Sequence, residues 1–445
     1  MNRIIFVLLI FLTVFSLAIR LFRLTEPSHY YFDEVYHAVT AKAYADNNPA
    51  PYDPFSPAPK EGTAYDWLHP PLAKLIQAGS IKIFGDVPFG WRLPSAIFGT
   101  GIIGATFVLA NLLFGPVVAI FAATVIAFEN LTFVMSRITM NDVFVTFFVL
   151  MSFIFAALYV RSTSEESFSH LGGVKKRSVL LFLTSLFLGF SIATKWTGFW
   201  AILALFIYIF WDDFKQKLVS PKILSLFIIP GVIYLLSYSQ FWLQGYTFKQ
   251  FYNLHQQIWW YQSRGDLEHS YATTPIFCAP KGLSGPKTFC PWALDIRPVY
   301  FSYEQYGSPR SPRGEAGEKA GYIYALGNPL IFWAGLVAIS YIVGRLIAER
   351  EKKYLLILLG YFIFWLPFVF TPRILFLHHY LPSLPFLAIA LGVALFQIYK
   401  SRAKYLVLIF LILVAVVFFY FYPISSGWPI EVAAIDKYMW LPTWR

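Results

Sequence analysis

Long apolar stretches alternate with short polar ones along most of the chain. Ile4 to Leu21 is the first, and others cover 93–113, 116–135, 142–160, 222–243, 328–348, 354–371, 381–399 and 403–422. Runs of about 18 or more apolar residues can cross a ~30 Å hydrocarbon core as helices. The runs are continuously apolar, whereas a barrel strand alternates over about ten positions, so helices are the predicted spanning elements. Ser178 to Trp211 has room for two shorter helices joined by the turn Lys195-Trp196-Thr197-Gly198. Residues 72–84 are apolar but short, and carry Lys74, Gln77 and Lys82. Stretches of about 10–14 such residues more often lie at the interface or re-enter. The pattern therefore predicts an all-α polytopic membrane protein of about eleven transmembrane helices, with helix 72–84 beside the bilayer. Ile4–Leu21 runs into Arg20, Leu21, Phe22 and Arg23 without a small-residue cleavage site, and reads as a retained helix.

Composition agrees and charge sets the sides. The chain is 58% hydrophobic and 13% charged, about half the roughly 25% that covers a soluble domain. Its net charge of +11 reads as basic cytoplasmic loops rather than nucleic-acid binding. Arg161 with Lys175, Lys176 and Arg177; Lys215, Lys217 and Lys222; Arg345, Arg350, Lys352 and Lys353; and Lys400, Arg402 and Lys404 are expected inside. The N-terminus is then cytoplasmic and the C-terminus extracytoplasmic. Three regions follow: 1–243, with a first outer loop 25–92; an outer loop 244–327, expected to fold as a lid; and a four-helix region with outer tail, 328–445. A loop of that length needs a functional or folding reason, and His255, Trp259, Trp260 and Tyr261 fall at helical spacing in it.

This topology gathers Asp33, Glu34, His69, Lys74, Arg92, Arg137, Asp142, Lys195, Arg373, His378 and His379 on the outer face. Ionisable groups near an apolar slab are costly and usually functional. Cations there suit a phosphate head group, and Asp33 suits general-base work on a hydroxyl. Together they suggest sugar transfer from a lipid-linked phosphate. Phosphate leaves without a general acid, unlike the alcohol that a glycosidase expels. Asp33 is the expected base, with Glu34 in support; as an alternative, Asp33 caps the helix through Val35 to Tyr44. Lys195, Arg137 and Arg373 are expected at the donor phosphate, with His69, Lys74, Asp142 and His379 supporting. No Cys or His spacing fits a zinc site, so the sequence requires no cofactor and leaves a divalent metal open. Cys278 and Cys290, both in the outer loop, are expected to form a disulfide.

These residues lie in motifs that resemble the protein O-mannosyltransferases, membrane enzymes of the GT-C fold. The motifs are Phe32-Asp33-Glu34, His69-Pro70-Pro71-Leu72-Ala73-Lys74, Trp91-Arg92-Leu93-Pro94-Ser95-Ala96, Arg137 to Asp142, Thr194-Lys195-Trp196-Thr197-Gly198, His379 to Phe386 and Met439 to Trp444. The resemblance implies an Asp-Glu motif at Asp33 and Glu34, and a phosphate-binding arginine at Arg92. It implies transfer of mannose from polyprenyl-phosphate mannose to Ser or Thr hydroxyls of exported proteins, with inversion, at the plasma membrane. The partners implied are the bilayer, the lipid-linked sugar and Ser/Thr-rich acceptor segments, with export machinery as a candidate. The MIR domain of eukaryotic members is absent from this sequence, and Thr274 to Trp292 reads as an insertion. Two rival readings are a GT-C transferase acting on lipid A or another glycan, and a transporter or flippase. The latter predicts internal repeats, which the sequence does not display.

Overall fold

The computed structural model describes residues 3–164, 172–211, 221–278, 287–306 and 318–445. Lys215 and Lys217 lie outside these residues, as do the side chains of Lys175 and Lys222. The N-terminal half contains α1 (Arg3–Leu21), α2 (Glu34–Ala45), α3 (Leu72–Phe84), α4 (Pro88–Phe114), α5 (Pro116–Ala127), α6 (Asn130–Met135), α7 (Asp142–Ser164), α8 (Gly172–Ile192), α9 (Gly198–Phe210), α10 (Pro221–Ser237) and α11 (Ser239–Leu243). The outer loop holds α12 (Phe248–Gln262), and α13 (Pro329–Glu349), α14 (Lys352–Phe362), α15 (Leu384–Tyr399) and α16 (Tyr405–Ser426) follow. Among the described residues seven helical segments are long and apolar enough to cross a membrane, and 116–127, 198–210 and 224–237 are shorter apolar helices. The chain is a multi-pass membrane protein.

Packing follows the small residues. α4 lies against α5 and α7, α5 against α15, and α8 against α7 and α10. A Cβ on Gly99 would sit 2.1 Å from Ser136 Cβ, so glycine lets the turn after α6 press onto α4. In the same way Gly392 brings α15 onto the backbone of α5 at Val118. Without a hydrophobic force between helices in lipid, such close approach is a main source of association.

Two expectations need correction. The apolar stretch 116–135 is not one helix: it breaks after Ala127, and the buried Glu129 carboxylate caps α6 by accepting from the backbone N–H groups of Leu131 (2.9 Å) and Thr132 (2.6 Å). The same carboxylate accepts from the Asn328 N–H at 3.2 Å, joining the N-terminal half to the start of α13. Nor is the chain all-α. Val299–Tyr306 (β3) pairs antiparallel with Lys319–Ala325 (β4), and β4 with Ile430–Glu431 (β5). Both longer strands are rich in aromatic and β-branched residues that favour a pleated, half-buried surface. A second, minimal pair joins Phe277–Cys278 (β1) to Thr288–Phe289 (β2), where Cys278 and Cys290 are disulfide-bonded with Cα atoms 5.6 Å apart.

Candidate active site

The segment after α1 sets the site. Phe32 has a left-handed φ of 48°, which costs a bulky residue energy and clusters at functional sites. Its ring is held by Phe301, stacked at 4.0 Å, and by Phe376 and His378 edge-on. Beyond this turn the next two side chains part company. Glu34 is fully buried, and its carboxylate takes both Nε and a terminal nitrogen of Arg92 at 2.8 Å, with the Thr139 N–H at 3.0 Å. Asp33 is half-buried at the N-cap position of α2, yet its side chain makes no capping bond. The capping alternative is therefore not realised in this geometry. Burial pushes the Asp33 carboxyl up to about 6; among its charged neighbours His37 and Lys195 oppose the rise while Asp66 and Asp142 add to it.

The cations divide sharply by what they touch. Arg92, expected at the donor phosphate, is fully buried and commits five N–H bonds: two to Glu34, and others to the carbonyls of Leu24 (3.0 Å), Pro27 (2.8 Å) and His29 (3.0 Å). A guanidinium has five donors, so none is left for a ligand. Arg137 donates to the carbonyls of Ile19 (3.2 Å), Arg20 (2.6 Å), Phe22 (2.7 Å) and Arg23 (3.0 Å). It thereby bonds carbonyls of the last turn of α1, which a helix leaves open, and of the two residues that follow it. Both arginines brace the outer loop. Arg20, at the outer end of α1, is also buried, with Nε on the Ser136 hydroxyl at 2.8 Å.

Lys195 and Arg373 differ. Both line a cavity of about 530 Å³, together with His69, Trp259, Gln262 and His379. Lys195 Nζ donates to Asp142 at 2.8 Å; an ammonium has three donors, and Asp142 is its one such partner among the described residues. Arg373 bonds the Gln262 side chain and lies 5.0 Å over the Tyr261 ring, while its buried Nε has no partner among the described residues. His379 donates from Nδ1 to the Phe376 carbonyl at 3.1 Å. Asp33 stands among the charge neighbours of both Lys195 and Arg373.

A second carboxylate, Asp66, and the imidazole of His37 were not singled out by sequence. His37 falls one helical turn after Asp33, and Asp66 three residues before His69; those spacings were the available signals. Lys74 Nζ pairs with Asp66 Oδ2 at 2.6 Å, His37 Nδ1 approaches the same oxygen to 2.9 Å, and His69 Nδ1 lies 3.1 Å from Oδ1. Burial alone would raise Asp66, but Lys74, His69 and His37 hold it well below the usual carboxylate range. Burial in turn lowers His69 to about 4, so its neutral ring donates from Nδ1 and leaves Nε2 as an acceptor. His37, Asp66 and His69 bring potential metal-ligating atoms within 4.8 Å of one another. With Lys74 already neutralising Asp66, this donor set fits a hydrogen-bonded ion pair better than a cation.

Beside the polar cavity runs an apolar groove of about 600 Å³ between α8, α9 and α10, lined by Ile192, Phe199, Ile202, Leu203, Phe206, Phe227, Pro230, Gly231 and Tyr234. Phe199 and Leu203 border both spaces. Among the described residues, the arrangement offers an unengaged carboxylate, two cations with free donors and an apolar groove bordering their cavity.

Comparison with known proteins identifies the family and the fold. Residues 10–244 match the family described as dolichyl-phosphate-mannose-protein mannosyltransferase, and 247–444 match the C-terminal four-transmembrane region of protein O-mannosyltransferase. The chain is similar to the polyprenol-phosphate-mannose–protein mannosyltransferase of Mycobacterium tuberculosis, at 24% identity over 85% of this chain and 81% of that protein. The Corynebacterium glutamicum protein of the same name is 26% identical, with the same coverage. Among solved structures, the Saccharomyces cerevisiae protein O-mannosyltransferase complex bound to the sugar donor superposes with a TM-score of 0.74 at 15% identity, covering 100% of this chain and 93% of that one. An Archaeoglobus fulgidus oligosaccharyltransferase gives 0.62 at 12% identity, over 98% and 57% of the two chains. The fold is GT-C, and this glycosyltransferase belongs to the dolichyl-phosphate-mannose-protein mannosyltransferase family.

Proposed function

We propose that the protein transfers mannose from a polyprenyl-phosphate mannose to Ser or Thr hydroxyls of polypeptides on the outer face of the plasma membrane, with inversion. The observation that carries this reading is the unengaged Asp33 carboxylate, raised to about 6, beside a cavity lined by Lys195 and Arg373. The acceptor oxygen attacks the anomeric carbon as its proton passes to Asp33. The bond from that carbon to the phosphate oxygen breaks, and the electron pair leaves on the lipid phosphate. Lys195 and Arg373 stabilise the charge gathering there. The apolar groove takes the polyprenyl chain near the phosphate. Glu34 and Arg92 act at one remove, fixing the backbone from which Asp33 projects. No step calls for a general acid or a nucleotide sugar.

The test uses purified protein in detergent, polyprenyl-phosphate mannose and a Ser/Thr-rich peptide, read by mass spectrometry. Loss of a general base typically costs about 10²–10⁴-fold in rate, and Asp33→Asn is expected in that range with donor binding retained. Transfer by Asp33→Asn near the wild-type rate would remove Asp33 from the role.

A further inference from the structure

α12 reaches the cavity only at its C-terminal end, through Trp259, Gln262 and, just beyond the helix, Ser263. Its middle is tied into the protein by a chain of hydrogen bonds. The Trp196 indole Nε1 lies 3.1 Å from the Tyr234 hydroxyl, that hydroxyl 2.7 Å from His255 Nε2, and His255 Nδ1 2.8 Å from the Phe251 carbonyl. With His255 neutral, every direction follows. An indole N–H only donates and a carbonyl only accepts, so Nδ1 of His255 carries its proton, Nε2 accepts, and the Tyr234 hydroxyl donates to it. Burial lowers the His255 pKa, which favours this neutral form. The three side chains come from three places: the turn that carries Lys195, the wall of the apolar groove on α10, and the lid helix α12.

We propose that Tyr234 and His255 are positioning residues that hold the Trp196 turn, and through it Lys195, in the geometry used on the donor phosphate. The inference rests on the reading of Lys195 as a phosphate-stabilising cation. Tyr234 also faces the groove, so the same hydroxyl links the groove wall, the lid and the cation. Cutting either link leaves a buried donor or acceptor unpaired, and a misplacement of about 1 Å at a reacting centre can cost on the order of 10²-fold.

Four single variants and one double variant are compared with wild type in the transfer assay at varied donor concentration, each with its Tm. Tyr234→Phe keeps the ring and removes the hydroxyl; His255→Leu removes the acceptor; His255→Gln keeps an acceptor oxygen near the position of Nε2; Lys195→Gln tests the underlying reading. Tyr234→Phe and His255→Leu are expected to lower kcat about five- to fiftyfold with KM for the donor changed less than about twofold. His255→Gln is expected to recover most of that loss, and the Tyr234→Phe/His255→Leu double variant to be no slower than the worse single variant. Tyr234→Phe and His255→Gln preserve most of the volume, so they decide the matter even if His255→Leu fails to fold. A lowered Tm with unchanged kcat in Tyr234→Phe would make the chain a structural tie and overturn the proposal. Full activity in Lys195→Gln would instead overturn the reading of Lys195.

Discussion

At the scale of single residues, adjacent or similar side chains divide between structure and chemistry according to their partners. Asp33 and Glu34 are neighbours, yet Glu34 faces a five-bonded arginine while Asp33 is left uncommitted. With the Asp33 carboxyl raised to about 6 by burial, kcat/KM is expected to rise with pH through about 6 and to level off above it, falling tenfold per unit below. A profile flat from pH 5 to 8 would remove Asp33 as the base. The same shift has a stability sign. A raised carboxyl binds extra protons in the folded state, so its contribution is favourable at low pH and is lost as pH rises through the folded value. Asp33→Asn should therefore melt slightly higher than wild type at pH 7 while losing activity. Arg92 behaves oppositely: removing one partner of a buried pair costs about 3–5 kcal/mol. Arg92→Ala and Glu34→Gln are each expected to lower Tm strongly and, combined, to cost less than their sum in thermal unfolding. The sequence placed Arg92, Arg137, Lys195 and Arg373 on one face alike. It could not separate braces from free cations, because what occupies Arg92 is mostly main-chain carbonyl at Leu24, Pro27 and His29, and carbonyls leave no side-chain pattern.

At the scale of elements, the spanning helices and α3 were legible because each rests on a contiguous run of apolar residues. The exceptions have local causes. Glu129 interrupts an apolar stretch with a carboxylate that finds backbone donors at the start of α6 and at the distant Asn328. β3 and β4 pair across a connection of a dozen residues and with a strand far along the chain, so no single window contains the evidence for them. The lid was expected as a folded unit, and its helix α12 starts with a capping box at Thr247 and Gln250. The Cys278–Cys290 bridge closes a loop with a sequence separation of 12, worth about 2–4 kcal/mol in the chain-entropy model. Replacing both by Ser is expected to make the lid more susceptible to limited proteolysis and to alter acceptor use more than donor KM. Two free thiols by non-reducing peptide mapping of wild-type protein from an oxidising host would remove this element-level tie.

At the scale of the whole molecule, Glu129 and Asn328 bond across the boundary between the two family regions, and Phe301 of the sheet packs on Phe32 beside Asp33. The C-terminal region therefore completes the site from a distance in sequence. Its orientation in the bilayer is open to direct test at exposed positions. In a Cys278→Ser/Cys290→Ser background, single cysteines at Lys60, Lys249 and Lys437 are expected to react with an impermeant thiol reagent from outside, and those at Arg350 and Ser401 are not. Labelling at Arg350 in sealed cells would reverse the assignment of sides. The groove between α8, α9 and α10 bears on kinetics as well as on fit. Phe199 and Phe227 in its wall are about half exposed, at 48% and 52%, an apolar flank suited to acyl chains rather than to water. A donor with a polyprenyl tail would then arrive sideways, by diffusion in two dimensions, and never as a solute. Its effective concentration is its mole fraction among the surrounding lipids, so diluting it with inert lipid or detergent at constant bulk molarity slows the enzyme, while adding water does not.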